Sequence, residues 1–90
     1  MAVTVRIPSP LRPLTGGAAA VECAPGTVRE VIGELDARHA GFRDRVMQDA
    51  ELRRFVNVFV AGEDVRFGAG IETAVADGQE VTILPAVAGG

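Results

Sequence analysis

Residues 27–41, TVREVIGELDARHAG, are the one long stretch of this chain in which apolar residues recur with the helical period. Val28, Val31, Ile32 and Leu35 follow i, i+3, i+4, i+7 and make a single apolar stripe. Thr27 with Glu30 three positions on is a capping box, Pro25-Gly26 before it is a turn, and Gly41 is a C-terminal stop. These signals predict a helix over 28–39. Full burial of its four stripe residues contributes about 1.5–3 kcal/mol each, which makes the helix the lid of the core. Gly33 inside it costs roughly 1 kcal/mol relative to Ala and suggests a close approach to a neighbouring strand.

The rest of the chain must supply what the lid covers. Val3-Thr4-Val5-Arg6-Ile7 alternates with period two and ends at Pro8, as a half-buried first strand does. PSPLRPLTGG, residues 8–17, reads as a loop, and AAAVECA, residues 18–24, as a second strand, so residues 2–23 form a hairpin with a long loop. FRDRVMQDAELRR, residues 42–54, is charged with Phe42, Val46 and Met47 interspersed, and reads as a short helical turn and a loop. FVNVFVAGEDVRF, residues 55–67, is a strand, a four-residue turn at Ala61–Asp64 and a short return arm Val65–Phe67. Residues 68–79 connect, with Ile71 and Val75 inward and a turn at Asp77-Gly78, to the last strand EVTIL. The order strand, strand, helix, strand, short strand, strand predicts an α+β chain of β-grasp (ubiquitin-like) type. Its mixed sheet has four to five strands, one main helix on one face, and the first and last strands as central neighbours. The expected division is a β-grasp domain over 1–86 and a flexible tail over 87–90 ending in Gly-Gly.

Composition narrows the function classes. Apolar residues are 48% and charged residues 23% of the 90, a globular balance with a real core. No apolar run approaches the ~20 residues of a membrane helix, and the first residues lack signal-peptide order, so a cytoplasmic protein without membrane contact is expected. The single Cys23 excludes an internal disulfide and the single His39 leaves no zinc site. Cys23 reads as a small apolar filler and His39 as meeting the carboxyl end of the helix dipole. Net charge is −3 and all nine basic residues are arginines spread along the chain without a dense run, so nucleic acid is not expected as a partner. Acids such as Glu34, Asp36, Asp44 and Asp49 read as a solvated face. No catalytic constellation is present, and the chain is not expected to be an enzyme. Alternation turns Val56, Val58, Val60, Val81 and Ile83 inward and Phe55, Asn57, Phe59, Thr82 and Leu84 outward. Phe59 and Leu84 then make an apolar patch beside the tail, a candidate partner site.

VTILPAVAGG, with DG just upstream, resembles the C-terminal signature of the ThiS/MoaD family of sulfur carriers. IPSPLRPLTGG and RFVNVFVAGEDVRF extend the resemblance over essentially the whole chain, towards the actinobacterial CysO-type branch of that family. The resemblance implies that an E1-like, ubiquitin-activating-like enzyme uses ATP to convert the Gly90 carboxylate into an acyl adenylate. Sulfide or an enzyme persulfide then displaces AMP and leaves a thiocarboxylate. A carboxylate is a poor electrophile because its charge repels nucleophiles and it has no good leaving group; adenylation removes both obstacles. Gly89 and Gly90 thread a narrow partner channel, and Ala88, Val87, Leu84 and Phe59 complete the implied contacts. The resemblance further implies no stably bound cofactor, a monomer when free, and delivery of sulfur to a synthase. Cysteine synthesis is the nearest case, by attack on a PLP-bound aminoacrylate and later release of cysteine by a metalloprotease. A thiosugar, thiamin thiazole or molybdopterin route is an alternative. So are a ubiquitin-like modifier joined to target lysines and a plain binding module. The chain contains no lysine, so it cannot be acylated on lysines of its own.

Overall fold

The alternation of Val3 and Val5, fully buried, with Thr4 and Arg6, turned out, starts the sheet. The computed structural model describes residues 2–49, 51–54 and 56–85. In chain order it contains β1 (Val3–Arg6), β2 (Ala20–Cys23), β3 (Gly26–Thr27), α1 (Val28–Arg38), α2 (Phe42–Val46), β4 (Met47–Gln48), β5 (Glu51–Leu52), β6 (Val56–Val60), β7 (Glu63–Asp64), β8 (Ala74–Val75) and β9 (Glu80–Pro85). Five of these form one mixed sheet in the order β2-β1-β9-β6-β7. β9 lies at its centre, parallel to β1 with Val5 opposite Val81, and antiparallel to β6 with Val58 opposite Ile83. This is the expected β-grasp architecture, with the first and last strands as central neighbours. The expected tail, 87–90, lies outside the described residues.

One face of the sheet is sealed by α1. Val28, Val31, Ile32 and Leu35 are all at most 2% exposed and pack with Val3, Val5, Val58, Val81 and Ile83 in one core. The capping box forms as predicted: the Glu30 amide donates to Thr27 Oγ1 at 3.2 Å, and the Thr27 amide donates to Glu30 Oε1 at 2.9 Å. Two readings near this helix are corrected. The helix ends at Arg38, and His39 is its C-cap, with φ −132° and ψ 86°, its amide donating to the Leu35 carbonyl. Gly33 makes no close approach: it is exposed, and a Cβ placed there meets nothing within 4 Å.

The connectors are more ordered than their composition suggests. Residues Ser9–Thr15, read as loop, wind into a 3₁₀ helix that buries Leu11 and Thr15. The Thr15 hydroxyl lies 3.1 Å from the Arg12 carbonyl and 2.9 Å from that of Ala18, so it is buried with its hydrogen bonding satisfied. In the charged stretch after α1, Phe42 and Val46 are fully buried and Met47 nearly so; the expected loop that follows is a β4–β5 hairpin. The turn after β6 is two residues, not four. Ala61 (φ 52°) and Gly62 (φ 87°) are both left-handed, the geometry that matches the twist of a tight hairpin. The return arm is therefore β7, two residues earlier than expected, and Val65–Phe67 is a single 3₁₀ turn.

Candidate functional site

The side of the sheet away from α1 is built by the other half of the same alternation. On β9, Val81 and Ile83 are buried, while Thr82 is half-buried and Leu84 is 46% exposed. Leu84 stands opposite Asn57; Phe59, opposite Thr82, is its diagonal neighbour on the same face. The outward assignment of Leu84 and Phe59 holds, but Phe59 is half-buried, so the apolar patch centres on Leu84. The chain leaves the sheet at Pro85, opposite Val56. Val87, Ala88, Gly89 and Gly90 lie outside the described residues. Phe67, 92% exposed, is the most exposed large apolar side chain described, and nothing in its short 3₁₀ turn signalled this from sequence.

The electrostatics beside Leu84 were not anticipated. Arg66 Nη1 donates to Asn57 Oδ1 at 2.8 Å, and Nη2 donates to the Arg53 carbonyl at 2.6 Å. Arg53 in turn donates from Nε to the Asp44 carbonyl at 2.8 Å and from Nη1 to Gln48 Oε1 at 3.5 Å. Every acceptor is neutral. Arg53, Arg54 and Arg66 line one open cleft, and among the described residues none of them has a carboxylate within 4.0 Å; the ion pairs present, Arg6–Glu80, Arg29–Glu72 and Arg38–Glu34, are elsewhere. The trio escapes sequence reading because β6 and its tight turn separate Arg54 from Arg66. The visible signal was only the Arg53-Arg54 pair.

Cys23, at the end of β2, is 2% exposed and packs in the core, as a filler does. Burial pushes its thiol pKa above the ordinary 9.0, nearby Glu34 pushes the same way, and Arg38, donating to Sγ at 3.4 Å, pulls it partly back. No group of three or more His, Cys, Asp or Glu side chains that could hold a metal occurs among the described residues, and none of the described helices is long and apolar enough to cross a membrane. The outward face presents one exposed leucine at the end of the central strand, opposite Asn57, which accepts from the Arg66 guanidinium.

A family profile described as the ThiS family matches residues 5–90. The chain belongs to the ThiS family. It is 52% identical over 93 aligned positions to the sulfur carrier protein CysO of Mycobacterium tuberculosis, covering all of both chains. It is 39% identical over 64 positions to small archaeal modifier protein 3 of Haloferax volcanii, covering 71% of this chain and 70% of that one. Among solved structures, a chain of the Amycolatopsis orientalis BexX/CysO complex superposes with a TM-score of 0.94 at 53% identity, covering 99% of this chain and 100% of that one. The ThiS-family assignment and the β-grasp sheet agree.

Proposed function

We propose that this chain is a sulfur carrier, a recycled cosubstrate and not a catalyst, whose Gly90 carboxylate is adenylated and then converted to a thiocarboxylate. The observation that supports it most directly is the 52% identity with CysO along the whole of both chains. The fold gives that reading a physical form. β9 is paired with β1 over residues 80–82 and with β6 over residues 81–85, so the chain is held in the sheet up to Pro85. ATP is consumed by an E1-like adenylating partner and is not held by this chain. The thiocarboxylate is a soft nucleophile that passes its sulfur to an acceptor without releasing free sulfide. The nearest route is cysteine synthesis, with a PLP-dependent synthase as acceptor and a metalloprotease releasing the product. The carrier acts in the cytoplasm.

Incubation with the activating enzyme, ATP and a sulfur donor is expected to exchange one oxygen of the chain for sulfur, read by intact mass. Adding one alanine after Gly90 is expected to abolish the exchange and leave the melting temperature nearly unchanged. The added residue moves the carboxylate about 3.3–3.6 Å along an extended chain, more than in-line attack on a phosphate tolerates. Normal adenylation of the extended chain, with no protease present, would remove Gly90 from the mechanism. The likeness to small archaeal modifier protein 3 favours one second reading, conjugation of Gly90 to target lysines. Adducts on protein amines in the same assay, with no sulfur gained, would support it.

A further inference from the structure

We propose that Arg53, Arg54 and Arg66 form a docking collar at the root of the tail and that it receives carboxylates on the protein surface of the activating enzyme. The inference rests on the carrier reading and adds to it the chemistry of the partner's surface. The chain carries net charge −3, so an unneutralised group of three arginines runs against its overall balance. Arg66 and Arg53 are held by two side-chain amide oxygens and two backbone carbonyls, which fix the guanidinium groups without cancelling their charge. Asp49 and Glu51 also line the cleft, yet neither is within 4.0 Å of the arginines. The Asp64 carboxylate is spent on the backbone, accepting from the Arg66 amide at 2.9 Å.

The collar is tied to the tail through one residue. Asn57 accepts from Arg66 and faces Leu84 across the β6–β9 ladder, so a partner that covers Leu84 also reaches Arg66, which shares its cleft with Arg53 and Arg54. Reach decides which anion they meet. Six residues, 85–90, span at most about 20 Å when extended, and a tail threaded into a channel places the adenylate near that limit. The nucleotide phosphates are then too far from Arg66 to be its counter-charge. The carboxylates must belong to the partner's protein surface around the channel mouth. Charge of this kind acts on encounter and register more than on the chemical step.

The test is pyrophosphate release by the activating enzyme, measured against carrier concentration at several salt concentrations. Arg54→Glu and Arg66→Glu are each expected to raise KM about tenfold with kcat little changed, and to flatten the rise of KM with salt expected for the wild type. Arg43→Glu, on the exposed side of α2 and outside the cleft, is expected to keep the wild-type KM. Arg66→Glu also breaks two hydrogen bonds and can lower the melting temperature; Arg54→Glu breaks none described and keeps the test decisive. A folded Arg54→Glu protein with wild-type KM and salt dependence overturns the proposal. Loss confined to kcat also overturns it, in favour of a nucleotide phosphate as the anion. No pyrophosphate release with the wild type itself would instead sink the carrier reading, and this inference with it.

Discussion

Ile83 and Leu84 are adjacent on the same central strand, yet one is 1% exposed and the other 46%. Across the ladder the same contrast separates Val58, fully buried, from Asn57, half-buried. The pleat alone produces this division, because successive side chains leave opposite faces. Strands β6 and β9 therefore carry two separate sets of side chains without a residue being shared between them. The inward set packs under α1 and holds the fold; the outward set is available to a partner. A change on one face should leave the other's property nearly untouched.

The largest expected effect is on the inward face. Ile83→Ala removes buried methyl groups from beneath α1 and should destabilise by about 2–5 kcal/mol in denaturant unfolding. Retained stability would mean the core collapses around the loss. Leu84→Asp, one residue on, should change stability by no more than about 0.5 kcal/mol while weakening the activating enzyme's KM about tenfold, because its charge is hydrated in the free protein and desolvated in the complex. An unfolded variant, or an unchanged KM, would show the two faces are not separable at this position.

Cys23 extends the contrast to pH. Its pKa is raised in the fold, so the native state favours the neutral thiol. The stability this contributes is whole below the ordinary value of 9.0 and is lost as pH rises through the higher folded value. The chain has no lysine and no tyrosine, so no other side chain titrates in that alkaline window. Unfolding free energies measured from pH 8 to 10.5 should fall for the wild type and stay flatter for Cys23→Ala. Equal slopes would show that the thiol's burial is not felt in the folding equilibrium. The smallest effect is on the exposed side of α1. Gly33→Ala meets open space at ordinary helical geometry and should stabilise by about 0.5–1 kcal/mol, seen as a higher melting temperature. A loss of stability would restore the close approach that the structure denies.

Legibility followed the range of the interactions. The α1 stripe, its capping box and the outward position of Leu84 were readable because each depends on residues one to seven apart. The β4–β5 hairpin was not, because two-residue strands show no period, and the left-handed Ala61 hid a tight turn that Asn or Gly at that position would have announced. Pro8, Pro10 and Pro13 correctly excluded a strand, but they are equally compatible with the 3₁₀ helix that forms. The arginine collar was invisible because its members meet only after β6 has turned back on itself. The role given to Gly89 and Gly90 came from family resemblance, since two glycines at a chain end carry no fold signal of their own.

The central position of β9 has a mechanical consequence. Its neighbour β1 runs parallel to it, so the chain enters β1 at one end of the sheet and leaves β9 at the other. A pull between the two loads the β1–β9 bonds together in shear, and a pull on the exit alone is shared with the β6–β9 ladder, instead of peeling bonds open one at a time. Resistance of this kind is governed by the unfolding rate under load and not by equilibrium stability. A partner that grips the chain beyond Pro85 and draws it inward can therefore haul hard on the handle before the body that carries it yields.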